Sequence, residues 1–162
     1  MAASGDRIPD LELQTPGPDG PQPFATGEFF GTGRTVLFGV PGAFTPGCSR
    51  VHLPGFVEQA DELKAKGVDR IACVAVNDAF VMDAWGQAHD VGDKITLIAD
   101  GNGTLTKALD LEMDGSGFGL GTRSKRFAAI IDDGVITRID VDETGGVDKS
   151  SCGAVLLHLD DA

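Results

Sequence analysis

One stretch constrains this chain more than any other. Arg34-Thr-Val-Leu-Phe-Gly-Val40 is almost continuously apolar, and Pro41-Gly42-Ala43-Phe44-Thr45-Pro46-Gly47-Cys48-Ser49 follows at once. An apolar run without alternation suits a strand covered on both faces, which calls for helices on each side of a sheet. Gly39 and Pro41 end the run. From Pro46 onward, Leu53, Phe56, Val57, Ala60 and Leu63 recur at helical spacing. Cys48 thus falls at a strand-to-helix junction, with Thr45 as N-cap and Pro46 near the helix start. First-turn amides lack intrahelical partners and the helix dipole is positive there. Both effects favour a thiolate, the reactive form of cysteine.

The remaining elements follow the same logic. Pro54 lies beyond the first turn and predicts a kink, while Gly67 after Lys64 and Lys66 predicts the helix end. Ile71 to Val76 and Ile95 to Ile98 are further strands. Asn77-Asp78 opens a helix whose face is Phe80, Val81, Ala84, Trp85 and Ala88, and a short helix spans 104–109. Phe127 to Ile131, the turn Asp132-Asp-Gly134 and an alternating strand from Val135 to Val141 form a hairpin. Thr144-Gly-Gly146 breaks the chain, and a short terminal helix starts at Cys152. Before Arg34, Ile8, Leu11 and Leu13 predict a short strand, 15–21 a hairpin tip, and Phe29-Phe30 a helix or turn over the core. Strand and helix alternate without a linker or repeat, so the reading is one α/β domain over 1–162, a mixed central sheet flanked by helices.

Charge narrows the partners. Acidic residues outnumber basic ones 25 to 13, for a net charge of −12, which repels nucleic acid and anionic membranes. No apolar run approaches the ~20 residues needed to span a bilayer. Met1 to Arg7 lacks the basic and apolar regions of a secretory signal, so the expected location is cytoplasmic. Three cysteines, Cys48, Cys73 and Cys152, fit free thiols in a reducing compartment better than a disulfide framework. No C-x-x-C or H-x-x-x-H occurs, which argues against a closed zinc site and a dithiol oxidoreductase.

Pro41…Thr45…Cys48 resembles the Pro-x-x-x-Thr-x-x-Cys signature of peroxiredoxins. The longer run Phe38 to Ser49, with His52-Leu-Pro-Gly-Phe-Val57, is similar to the peroxiredoxin-5 or type II subgroup, and the likeness continues through 74–81, Trp85-Gly86 and Lys125-Arg-Phe127. The resemblance implies a thioredoxin-like fold and a thiol-dependent peroxidase acting on hydrogen peroxide and alkyl hydroperoxides, without metal, haem or flavin. It implies Cys48 as the attacking thiol, Arg126 as the guanidinium beside it with Arg123 as the competitor, and Cys152 as the resolving cysteine of an intramolecular disulfide. An external thiol and Cys73 are the other resolvers open at this point. Thioredoxin, glutaredoxin or glutathione would return the electrons, and the molecule would be a homodimer with apolar residues near Phe44, Phe80 and Trp85 at its edge.

Peroxide reduction by a thiolate needs charge stabilisation on sulfur and on the leaving oxygen, and an in-line substrate. Thr45 can bridge thiolate and peroxide, the amides of Gly47 and Cys48 can grip an oxygen, and Pro41 and Phe44 can keep bulk water out. Leu120, in the glycine run 115–121, belongs to a pocket rim; that run lacks the features of a phosphate loop. His52, one turn after Cys48, reads as an orienting hydrogen-bonder to backbone rather than a base, since it has no carboxylate partner in sequence. Cys73, mid-strand, reads as a small core residue and Trp85 as core or interface. A rival function is a redox sensor in which Cys48 oxidation alters a surface without turnover.

Overall fold

The computed structural model describes residues 1–143 and 146–160. Apolar β-branched runs build its centre. β3 (Arg34–Val40) lies parallel to β4 (Arg70–Ala75), which lies parallel to β5 (Thr96–Ala99). β8 (Arg126–Asp132) pairs antiparallel with β3 on one side and with β9 (Val135–Asp142) on the other. The N-terminal hairpin, β1 (Glu12–Gly17) and β2 (Gly20–Ala25), adds to β5, giving seven strands in the order β2-β1-β5-β4-β3-β8-β9. Two polar strands, β6 (Glu112–Asp114) and β7 (Thr122–Ser124), pair as a separate ribbon on either side of the glycine run 115–121.

Both faces of the sheet are covered, as the unbroken burial of β3 and β4 requires. One face packs under α2 (Leu53–Glu58), α3 (Ala60–Ala65), α4 (Ala79–Ala88) and α6 (Cys152–Asp160), through Phe38, Leu53, Phe56, Leu63, Met82, Trp85 and Val155. The other packs under α1 (Thr26–Phe30) and α5 (Thr104–Ala108), through Phe30, Leu37, Val74, Ile98, Leu105 and Phe127. Asp78 caps α4 by accepting from the Val81 amide at 2.9 Å. Gly67 holds φ +92 just after α3, where only glycine is unstrained.

Three expectations are refined. The alternation in β9 is interrupted by a bulge: Ile130 faces Arg138 but Ile131 faces Ile136, so Thr137 is extra and its hydroxyl donates to the Ile130 carbonyl at 3.1 Å. The kink at Pro54 appears as a π-helical turn, Cys48–His52, in which the Leu53 amide reaches back to the Cys48 carbonyl. Pro54 has no N–H to continue an i→i−4 ladder, so the wide turn absorbs the defect. Trp85 is core: it is fully buried and its indole N–H donates to Ser49 Oγ at 2.9 Å, so it cannot line an interface edge. The expected break at Thr144–Gly146 lies mostly outside the described residues.

Candidate active site

β3 delivers the chain to Pro41, and helical backbone begins at Pro46. Between them Phe44 sits at φ +65, an unfavourable region for a bulky residue. The loop is held there by specific bonds: the Ala43 amide donates to Asn77 Oδ1 at 2.9 Å, and the Thr45 hydroxyl donates to the Gly42 carbonyl at 2.7 Å. The hydroxyl therefore does not cap the helix as anticipated; it ties the loop, and the Thr45 carbonyl accepts from the Ser49 amide at 2.9 Å. The outcome is a fully buried Cys48 thiol one turn into the helical segment.

Arg126, the first residue of β8, reaches this thiol: Nη2 donates to Cys48 Sγ at 3.3 Å. Gly47 makes room, since a Cβ there would lie 3.0 Å from Nη2. Arg123 is placed elsewhere. Its Nε donates to the Leu120 carbonyl at 3.0 Å and its Nη1 to the Pro41 carbonyl at 3.3 Å, so it laces the glycine-run rim to the Cys48 loop. Of the residues singled out in sequence, the structure thus brings Cys48, Arg126 and Gly47 together, while Arg123 ties Leu120 to Pro41 and Thr45 holds the loop between Pro41 and Cys48. Phe44, in the loop between β3 and Cys48, stands more than half exposed.

His52 is buried beneath the guanidinium. Arg126 Nη1 and His52 Nδ1 are 2.9 Å apart, and His52 Nε2 is 2.9 Å from the Ser150 carbonyl. An arginine only donates and a carbonyl only accepts, so Nδ1 is the acceptor and Nε2 carries the proton. With both nitrogens engaged, His52 is not a base for the thiol. Burial, followed by the charge of Arg126, pushes its pKa down to about 4, against the hydrogen bond to Ser150 and the charge of Asp142. Below its unfolded value of about 6.5 the unfolded chain takes up a proton that the folded chain refuses. Stability from this group is therefore full above about pH 6.5 and lost as pH falls toward about 4, a loss of about 3 kcal/mol. Urea titrations of wild type and His52→Gln across that window should differ by this slope; parallel curves would contradict it.

Cys152 opens α6, as expected for the terminal helix, and is only 2% exposed. Burial, aided by Glu62, pushes its thiol up to about 12. Cys73 is fully buried in β4 and is likewise pushed up by burial, fitting its reading as a core residue. All three cysteines are free thiols. Among the described residues no group of His, Cys, Asp or Glu could hold a metal ion, and no helix is long and apolar enough to cross a membrane.

Sequence reasoning missed Asn77 as a loop anchor and Asp142 with Ser150 as the support of His52. An Asp ending a strand before a Gly-Ser-rich segment is a turn-forming signal that was available.

Residues 3–156 match the Redoxin family. The chain is 51% identical over 162 residues to Peroxiredoxin-2E-2, chloroplastic, from Oryza sativa subsp. japonica, covering 97% of this chain and 72% of that one. Among solved structures, reduced Prx3 in complex with H2O2 from Vibrio vulnificus shares 48% identity and a TM-score of 0.93, over 98% of this chain and 99% of that one. Peroxiredoxin 5 from Alvinella pompejana shares 36% identity and a TM-score of 0.86, over 98% of each chain. The seven-stranded sheet with its flanking helices is accordingly a thioredoxin-like fold. Likeness this deep, along nearly the whole chain and centred on a thiol met by an arginine, places the protein in the Redoxin family as a type II peroxiredoxin, a thiol-dependent peroxidase with Cys48 as its peroxidatic cysteine.

Proposed function

We propose that the enzyme reduces hydrogen peroxide and small alkyl hydroperoxides, and that Cys152 resolves the oxidised Cys48 within the same chain. The observation that carries the first step is the buried Arg126 Nη2 on Cys48 Sγ at 3.3 Å, a positive donor beside the attacking atom. The Cys48 thiolate attacks the terminal oxygen of ROOH; an S–O bond forms, the O–O bond breaks, and RO⁻ leaves with the electron pair and is protonated to ROH. Arg126 stabilises charge on sulfur and then on the departing oxygen. Thr45 holds the peroxide in line, and the first-turn amides of Gly47 and Cys48 meet an oxygen. Pro41, Phe44 and Leu120 shape the approach and limit bulk water.

The Cys48 sulfenic acid then condenses with the Cys152 thiol, forming a disulfide and releasing water. Thioredoxin, glutaredoxin or glutathione supplies the two electrons and two protons that restore both thiols. Because Cys152 is packed in α6, this route requires the start of that helix to leave its seat. The same burial favours a second reading, in which an external thiol such as glutathione resolves Cys48 directly. Residues 1–162 act as one domain, and the unit is a homodimer, for which exposed Phe44 and Phe80 offer apolar surface. Three free thiols suit a reducing compartment such as the cytoplasm.

Peptide mapping after one equivalent of hydrogen peroxide tests the resolver. Wild type should show a 48–152 disulfide within one chain, and Cys152→Ser a trapped Cys48 sulfenic acid. A sulfenic acid in both samples would remove Cys152 from the cycle and leave the external thiol.

A further inference from the structure

The support beneath the active site extends well beyond it. β8 and β9 pair Arg126 with Asp142 in register. The Asp142 carboxylate, itself buried, gathers the segment that leads into α6: Oδ2 accepts from the Asp148 amide at 3.0 Å, the Ser150 amide at 3.0 Å and the Ser150 hydroxyl at 2.6 Å, and Oδ1 accepts from the Lys149 amide at 3.0 Å. Ser150 is fully buried, and its carbonyl takes the His52 Nε2 proton at 2.9 Å. The imidazole is fixed laterally by Phe38 and Phe56, with ring centroids 4.9 and 5.6 Å away. Its Nδ1 then meets Arg126 Nη1 at 2.9 Å, while Nη2 lies on Cys48 Sγ at 3.3 Å. The chain of contacts closes on itself, from Arg126 through His52 and Ser150 to Asp142 and back across the β8–β9 ladder.

We propose that Asp142 and Ser150 are positioning residues for the peroxidatic site: they hold the 148–150 turn so that its carbonyl orients His52, which in turn keeps the Arg126 guanidinium on Cys48. Burial works against the Asp142 carboxylate, but the bonds from Ser150, Lys149 and Asp148 outweigh it and hold its pKa below the ordinary value, so the anchor stays charged at neutral pH. Cys152 is two residues beyond Ser150. Any movement that lifts Cys152 from its seat therefore pulls on the carbonyl that fixes His52, and relaxes the grip of Arg126 on sulfur. This inference rests on the reading of Arg126 as the group that stabilises the reacting sulfur.

The test is a double-mutant cycle on a single turnover, following Cys48 sulfenic acid formation by rapid quench and mass spectrometry. Asp142→Asn should slow oxidation by about 10- to 100-fold, the scale on which supporting residues behind a reactive group act. Ser150→Ala keeps the carbonyl and loses only the hydroxyl bond, so it should slow oxidation less. In an Arg126→Gln background both substitutions should have no further effect, because the group they position is gone. Equal slowing by Asp142→Asn with and without Arg126 would make the role merely structural and overturn the proposal. Wild-type rates for both single variants, with a slow Arg126→Gln, would also overturn it while leaving the arginine reading intact. A wild-type rate for Arg126→Gln itself would instead remove the reading underneath. If Asp142→Asn does not fold, Ser150→Ala alone completes the cycle with the same criteria.

Discussion

Cys48→Ser should lower peroxide turnover by at least about 10⁴-fold, the scale on which removal of a nucleophile acts. The hydroxyl is nearly isosteric, and Arg126 Nη2 can donate to it as it does to Sγ at 3.3 Å, so the buried position stays hydrogen-bonded. The loop is held by Asn77, Thr45 and Arg123, none of which depends on sulfur. Folding should therefore survive, with a thermal midpoint within a few degrees of wild type. Chemistry should not, because an alcohol offers no appreciable anion at neutral pH and does not take oxygen from a peroxide. The other cysteines cannot replace it. A thiol with pKa about 12, as burial imposes on Cys152, is about 10⁻⁵ ionised at pH 7. Cys73 is fully buried in the sheet and pushed up in the same way. A coupled thiol–peroxide assay with circular dichroism on the same sample checks both halves. Retained turnover in a folded Cys48→Ser protein would move the peroxidatic function to another group.

How far the sequence carries depends on how local the signal is. β3, β4 and the helix after Cys48 are legible because unbroken apolar runs and the spacing of Leu53, Phe56, Ala60 and Leu63 encode them within a few residues. β6 and β7 are not: Glu112-Met-Asp and Thr122-Arg-Ser have no apolar pattern, and only their pairing makes them strands. The choice between Arg123 and Arg126 is likewise a matter of register. Both lie in one polar run, and it is the pairing of Phe127 with Gly39 that sets Arg126 beside the end of β3 and over Cys48. The flat contact there is specific, since a Cβ on Gly39 would fall 2.0 Å from the Phe127 ring. The Asp142–Ser150–His52 support joins residues up to 98 positions apart, so no window of sequence contains it. His52 shows the same limit from the other side: its type and place are legible, but its neutral state and tautomer follow only from the arginine and carbonyl that the fold puts against it.

Replacing Arg126 should be the second largest loss. Arg126→Gln is expected to slow Cys48 oxidation by about 10²–10³-fold, the range for removing one preorganised donor from a developing charge in a water-poor site. The glutamine is shorter and neutral, so it cannot span His52 Nδ1 and Cys48 Sγ, which the guanidinium reaches with two different nitrogens. Arg126→Lys should fare little better. It keeps the charge, yet a single ammonium must choose between the imidazole and the sulfur, and a buried ammonium costs more to desolvate than the weakly hydrated guanidinium. Arg126→Gln removes the Nη1 partner of His52 Nδ1, a penalty of about 1–3 kcal/mol in stability, and Arg126→Lys does the same where its ammonium takes the sulfur. The two effects separate experimentally: the rate loss should persist at temperatures where calorimetry shows the variant fully folded. Stopped-flow oxidation can be followed by Trp85 fluorescence, because the indole donates to Ser49, the residue after Cys48. A folded Arg126→Gln protein that reacts with hydrogen peroxide at the wild-type rate would show that the helix start and loop amides suffice, and that the guanidinium is there for the fold alone.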